Sequence, residues 1–314
     1  MTWQRKGVVL ALDLGGTKVE AALVTPDGSI LSGTRYRADT GGTASAADLA
    51  EAITTVVRLS RDSAGSVSIL GVGVAAPGPI DDANGYVVPI NLSVLEGVPL
   101  RAVVASAANV QEEKVEFRRD GVAFILAEYW LGAAQGADSA LGIVISTGVG
   151  GGLIINGRAL VGNAGHIGQV EVSGLVGDEC LGRTTMLESV ASGPNIVAWA
   201  RREGFDGSTG EDLAAAYAVG NHIAVRAVQR CASAVGQAIG SAVALLPVGV
   251  VVIGGGFSRV SDDLVPLIAD EVGRHPLPYV AATPVVPAVM KNDAPLVGAA
   301  ALVYRSDLLP SDPG

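Results

Sequence analysis

Residues 8–24 read VVLALDLGGTKVEAALV. Two β-prone apolar runs flank the linker GGTK, and a third run, GSILSGTRYR at 28–37, follows after TPDG. Runs of this kind bounded by glycine-rich turns predict a meander of hairpins. The linker decides more than the strands do. Gly15 and Gly16 permit a sharp turn that presents backbone N–H groups to an anion. Thr17 and Lys18 add a hydroxyl and a positive charge, and Asp13 offers a hard carboxylate to Mg2+, directly or through water. A plain hairpin with a glycine turn accounts for the same residues.

Outward from this hairpin, strands and helices alternate. Positions 44–61 carry apolar residues at helical spacing, and SILGVGVAAPGPI at 68–80 reads as a buried strand running into a Gly/Pro loop. VPLRAVVASA at 98–107 reads as a short helix and KVEF at 114–117 as a strand. FRRDGVAF at 117–124 then opens a helix that is apolar on most sides. Asp120, behind Arg118 and Arg119 at this junction, suits a surface ion pair, a helix N-cap or a catalytic base.

A second strand set occupies 140–148, 151–160 and 169–172. The remainder is mostly helical, at 184–203, 211–218 and about 221–246, interrupted by the buried strand GVVVIGGG at 249–256. A last strand, TPVVPAV, precedes a terminal helix over 295–306. DLGGTKVEAALVTPDGSIL near residue 13 and STGVGGGLIINGRAL near residue 146 share a design: strand, glycine-rich hairpin, second apolar strand. Such an echo predicts two similar α/β domains facing a cleft, with the boundary near residue 118.

The composition narrows the function classes. A chain of 314 residues is long enough for two domains. Its formal charge of −10 argues against a nucleic-acid partner, which needs a basic face. Two cysteines, Cys180 and Cys231, are too few for a disulfide framework or a cysteine-rich zinc site. No apolar run reaches the roughly 18 residues of a membrane span. The first apolar run ends in Asp13 and a glycine pair rather than a cleavage site, so it reads as a strand and not a signal peptide, and the cytoplasm is the expected location.

STGVGGG at 146–152 and VVIGGGFS at 251–258 point further. Glycines clustered this densely weaken a strand. A backbone that must pass close to phosphates explains Thr147, Gly148 and Gly150, and room for a flat group such as adenine or ribose explains Gly254, Gly255 and Gly256.

These three motifs, in this order and spacing, resemble the phosphate and adenosine motifs of the ROK family of sugar kinases and repressors. The resemblance extends over APGPI (76–80, with Gly78 on the acceptor side), INL and VPL (90–100), LAEYWLGAA (126–134), LESVASG (187–193) and LVGAAAL (296–302). It implies an α/β, two-domain actin-like ATPase (ribonuclease H-like) fold with an interdomain cleft. The smaller domain would be 1–118, joined by the C-terminal helix 296–308, and the larger 119–295. ROK repressors carry a helix-turn-helix before the first phosphate motif; here that motif's strand begins at Val8, which argues against a DNA-binding member.

The family's Glu-Asn-Asp-Ala-Asn segment aligns without a gap on RRDGV, which places Asp120 on its catalytic aspartate. The resemblance implies that Asp120 accepts the proton of the attacking sugar hydroxyl. The neighbours depart: Arg119 stands where the family has an asparagine that reads sugar hydroxyls, and Val122 replaces the second asparagine. Arg119 could bind an anionic acceptor, or pair with Asp120 and occlude it. The family's Glu-x-Gly-His clamp aligns with HIGQ, giving His166 and Gln169. N-acetylmannosamine kinases of bacterial type also have histidine at the first position. The zinc cysteines of the family align with Glu179, Leu181 and Met186, so no zinc site is expected. Asn91 and Glu188 match acceptor-side residues, although Asn91 also suits a turn and Glu188 a helix start.

The expectation is therefore an ATP- and Mg2+-dependent kinase acting on a hydroxyl of a sugar or sugar-like acceptor such as an amino sugar, a cyclitol or a modified hexose. Asp120 would be the base, with Gly78, Asn91, Arg119, His166, Gln169 and Glu188 lining the acceptor pocket. A homodimer that binds neither nucleic acid nor membrane is implied. The alternative is a non-catalytic sugar or nucleotide sensor with Asp120 locked by arginine.

Overall fold

A computed structural model of the chain describes residues 7–40, 45–81, 86–87, 98–162, 164–178 and 183–310. Two compact units emerge: Met1–Leu131 with Arg158–Asn163 and Asn292–Gly314, and Gly132–Gly157 with Ala164–Lys291.

In the first unit, strands β1 (Val8–Leu14), β2 (Lys18–Val24) and β3 (Tyr36–Asp39) form the antiparallel meander. Helix α1 (Ala46–Asp62) leads to β4 (Ile69–Ala76), which pairs in parallel with β1. Two-residue strands β5 (Ile80–Asp81) and β6 (Tyr86–Val87) and helix α2 (Leu100–Ala108) precede β7 (Val115–Arg119), parallel to β4. Helix α3 (Asp120–Leu131) follows directly. The resulting order is β3-β2-β1-β4-β7.

The unbroken apolar runs of β1 and β2 are explained by burial on both faces, because alternate side chains serve opposite layers. Val8, Leu10, Leu12 and Leu14 join Leu49, Ile53, Leu100 and Phe117 on the side of α1 and α2. Val9 and Ala11 pack with Ala123, Leu296, Ala299 and Ala300 on the side of α3 and α10 (Ala294–Tyr304). Helix α10 lies so close to β4 that a side chain at Gly73 would meet the Ala299 carbonyl.

The second unit repeats the plan. Strands β8 (Ala140–Ile145) and β9 (Val149–Ile155) form an antiparallel hairpin. After the short strand β10 (Arg158–Ala159) come helices α4 (Leu187–Ala191), α5 (Gly193–Arg202), α6 (Gly210–Ala218) and α7 (His222–Leu245). Strand β11 (Val250–Gly254) then inserts parallel to β8, helices α8 (Leu264–Gly273) and α9 (Pro278–Ala281) follow, and β12 (Val285–Pro287) lies parallel to β11. In both sheets a hairpin is continued by two parallel strands, β2-β1-β4-β7 and β9-β8-β11-β12. That repeated order is the sequence echo in three dimensions.

Several elements differ from their sequence reading. The run 28–37 contributes only its last residues, in β3, because Thr34 caps the bend by donating to the Leu31 carbonyl and accepting from the Leu23 N–H. The helix expected over 184–203 is two, broken at Ser192, whose backbone is extended (φ −64°, ψ 150°). Residues 169–172 form no strand; only Glu171 bridges to Met186. Among the described residues no helix is long and apolar enough to cross a membrane.

Candidate active site

Ligands of open α/β sheets gather outside the carboxyl ends of the parallel strands, and in the first unit the expected residues sit there. Asp13 is the penultimate residue of β1, level with Ala75 of β4, and Ala76 is level with Arg119 at the end of β7. Alternation puts Asp13 on the face of Val9 and Ala11, toward α3 and α10. Asp120 is the first residue of α3, exposed, and its Oδ1 accepts the Gly121 N–H at 2.7 Å. Burial, and then the charge of Asp120, push the Asp13 carboxyl up to about 7. The positive charge of Lys18 acts in the opposite direction.

The GGTK turn is tight: the Gly15 N–H donates to the Lys18 carbonyl at 2.9 Å, leaving Gly16 and Thr17 exposed at the tip. Lys18 leans toward Glu20, 4.0 Å away. Glu20 is buried and held below the usual carboxylate range: burial would raise it, but the Arg35 hydrogen bond and the charges of Arg35, Arg37 and Lys18 prevail. Arg35 also bonds Asp293 at 2.7 Å.

Arg119 behaves differently from these cations. It is 8% exposed, and its Nε and Nη2 have no hydrogen-bond partner among the described residues. No ion pair joins it to Asp120 in that set, although burial and the Asp120 charge act on it in opposite senses, burial dominating and depressing its pKa. The reason is directional: as the last residue of β7, Arg119 follows Val115 and Phe117 onto the α1/α2 face, whereas Asp120 turns into α3. Its stem lies flat on Gly78, where a Cβ would collide with Arg119 Cδ. Asn91 lies outside the described residues.

In the second unit the glycine hairpin is braced from one side. The Val149 N–H donates to Glu188 Oε2 at 2.8 Å, and a side chain at Gly148 would come within 2.6 Å of that oxygen. Gly168 sits flush on the Val149 carbonyl, so the short turn Ile167–Gln169, preceded by His166, packs on the same hairpin. The structure thus brings His166, Gln169, Glu188 and Gly148 together, with Glu188 serving the hairpin backbone. Gly255 has φ +94°, and a Cβ there would collide with the Ile145 carbonyl oxygen, so both handedness and space demand glycine.

Beside these turns opens a cavity of about 540 Å3, of the size that takes a nucleoside. Thr147, Gly193, Arg201, Thr209, Gly256 and Arg259 are among its walls. Two helix starts border it: Gly193 and Pro194 open α5, and Thr209 caps α6 in a reciprocal box with Asp212. Sequence reasoning missed Arg201, Thr209 and Arg259. The Thr-Gly-Glu-Asp capping signature was legible at 209–212, but nothing in it said which cavity the helix start would border. Cys231 is buried, which pushes its thiol up to about 12 and leaves it inert. Among the described residues no group of three or more His, Cys, Asp or Glu is placed to hold a metal ion; Glu179, Cys180 and Leu181 lie outside that set.

The model of the ROK family matches residues 9–306. This chain belongs to the ROK family. It is 32% identical over 303 residues to the N-acetylmannosamine kinase of Yersinia pseudotuberculosis serotype O:1b, covering 94% of this chain and 97% of that one. Among solved structures it is similar to a ROK family glucokinase from Streptomyces griseus in complex with glucose and AMPPNP, with TM-score 0.81 and 26% identity over 95% of this chain and 100% of that one. The ROK hexokinase of Thermus thermophilus gives TM-score 0.77 and 29% identity over 96% and 99%. The fold of this ROK chain is accordingly the two-repeat α/β architecture of the actin-like ATPases.

Proposed function

We propose that this ROK protein is an ATP-dependent kinase that transfers the γ-phosphoryl group to a hydroxyl of a sugar or sugar-like acceptor. The observation that carries the reading is the state of Asp120: exposed at the carboxyl edge of the first sheet and not paired with Arg119. An arginine-locked aspartate, the condition for a silent sensor, is not what the geometry supports. Asp120, exposed at this edge, would take the acceptor hydroxyl proton, a role in which positioning matters more than basicity.

The nucleotide reading rests on the second unit, where the cavity meets Thr147 and Gly256 at the ends of parallel strands β8 and β11. Backbone N–H groups of Thr147 and Gly148, beside the Val149 N–H that Glu188 holds, and the starts of α5 and α6 suit phosphate and ribose oxygens. In the first unit the hard-oxygen carboxylate of Asp13, whose charge is disfavoured beside Asp120, fits Mg2+. The ion would supply charge neutralisation at the phosphates. His166 and Gln169 are assigned to the acceptor side, with N-acetylmannosamine one candidate acceptor, and a homodimer is the proposed assembly.

The test is ADP release with MgATP against hexoses, N-acetylhexosamines, cyclitols and sugar acids. Turnover with at least one acceptor, abolished in Asp120→Asn, is expected. Nucleotide binding without turnover across the whole panel would return the protein to the sensor class.

A further inference from the structure

Arg119 is a charged side chain, more than nine-tenths buried, with no partner for two of its nitrogens among the described residues. Native proteins rarely leave such groups unsatisfied, and a buried cation is ordinarily matched by an anion. Other cations of the first unit are engaged: Lys18, Arg35 and Arg37, toward the far edge of the sheet, converge on Glu20, Arg35 also holds Asp293, and Arg118, next to Arg119 in β7, lies 3.6 Å from Glu116. The nearest carboxylate along the chain, Asp120, leaves in another direction. The guanidinium is nonetheless held in place. Gly78 gives its stem a flat floor that any larger residue would fill, and the last rung of the β4–β7 ladder, Ala76 to Arg119, fixes its backbone.

We propose that Arg119 selects an acceptor that carries a carboxylate in addition to the hydroxyl that is phosphorylated, so that the substrate class is a sugar acid. This rests on the kinase reading above. A planar guanidinium matches a carboxylate bidentately, which an ammonium cannot do. The binding energy comes from satisfying N–H groups that have no hydrogen-bond partner among the described residues, so the preference is built into the protein itself. Gly78 is a positioning residue, acting only through the Arg119 stem. Asp13 and Asp120 repel an acid brought near them, which requires the carboxylate to lie on the α1/α2 side with Arg119 and the reacting hydroxyl to lie toward Asp120.

The experiment compares matched pairs, glucose with glucuronate and with glucose 6-phosphate, by ADP release and separately by acceptor-induced thermal shift. Wild type, Arg119→Gln, Arg119→Lys and Gly78→Ala are measured with each. The expected result is a kcat/KM for the uronate at least about tenfold above its neutral congener. Arg119→Gln raises KM for the uronate roughly 100-fold without changing KM for ATP, and Arg119→Lys recovers part of the loss. Gly78→Ala imitates Arg119→Gln while keeping the charge. Preference for the neutral sugar, unchanged in Arg119→Gln, overturns the proposal, and so does preference for the phosphate. A fall in kcat shared by both acceptors, or a raised KM for ATP, also overturns it, because Arg119 would then serve the transferred phosphoryl group. The two readings separate cleanly. If nothing turns over yet glucuronate raises the melting temperature of wild type and not of Arg119→Gln, the kinase reading fails and the acid-binding role of Arg119 stands. If turnover is seen but neither readout depends on Arg119, the kinase reading stands alone.

Discussion

Glu188 holds the backbone of Val149: its Oε2 accepts the Val149 N–H at 2.8 Å, across from a glycine whose side chain would displace it. An acid from the first turn of α4 thereby sets the shape of the β8–β9 turn. Replacing Glu188 with Ala leaves that N–H without its acceptor, at a cost of about 1–3 kcal/mol in chemical denaturation. Glu188→Gln retains an acceptor oxygen and should lose less than half of that.

Gly148→Ala attacks the same contact from the other side, placing a methyl 2.6 Å from the carboxylate oxygen. We expect nucleotide affinity, read by calorimetric titration with an ATP analogue, to fall by about tenfold or more, because the proposed phosphate-facing N–H groups lose their geometry. Stability should change far less than it does in Gly255→Ala. There the positive φ and the Ile145 carbonyl both oppose a side chain, and a loss of about 2 kcal/mol or more is expected.

Asp13 makes stability depend on pH in an unusual sense for an acid. Its folded pKa, about 7, stands above the ordinary value of 3.8, so between them the folded chain holds a proton that the unfolded chain has released. Stability therefore declines as pH rises through this window and is lowest, for this group, above 7. Asp13→Asn should melt higher than wild type at pH 8, by an amount on the order of 2 kcal/mol, and match it near pH 4. A lower melting temperature at pH 8 would contradict the assigned electrostatics.

Glu20 has the opposite sign. Its folded pKa lies below the ordinary 4.5, so its contribution is complete above that value and is lost as pH falls through the depressed one. Glu20→Gln removes the common partner of Arg35, Arg37 and Lys18. Because Arg35 and Arg37 are partly in water, a loss of about 1–2 kcal/mol at pH 7 is expected rather than the full figure for a buried pair.

Asp120→Asn should abolish turnover, by about 100-fold to 10,000-fold in kcat, while nucleotide affinity is retained. Removal of this charge also lets the Asp13 carboxyl fall toward its ordinary value, a change that carbon-detected NMR of the side-chain carboxyl would register.

Much of this was legible in the sequence because periodicity and glycine placement report directly on backbone. The two hairpins, the alternating layers around Val8–Leu14 and the long helix at His222–Leu245 follow from spacing alone. The break at Ser192 was carried locally by Gly193-Pro194, which suits a helix start, but LESVASGPNIVAWARR keeps its apolar rhythm through the kink and so reads as one helix. The Gly193 N–H donating to the distant Ser146 carbonyl at 2.8 Å fixes the break. The site divides in the same way. Asp13 stands at a strand end before a glycine turn, and Asp120 was singled out by the family resemblance, whereas the divergence of Arg119 from Asp120 depends on strand parity and on Gly78, and the role of Glu188 on a partner 39 residues away. Arg201 and Arg259 reach the cavity only through the packing of α5 and the loop after β11, which no local pattern encodes.

The walls of the 540 Å3 cavity all come from the second unit, while Gly78, Arg119, Asp13 and Asp120 all come from the first. Inheritance can therefore act on them separately. On the proposed reading, a substitution at Arg119 or Gly78 replaces no wall residue of that cavity, so a lineage could trial new acceptors, one substitution at a time, while every residue assigned to the nucleotide stays as it is.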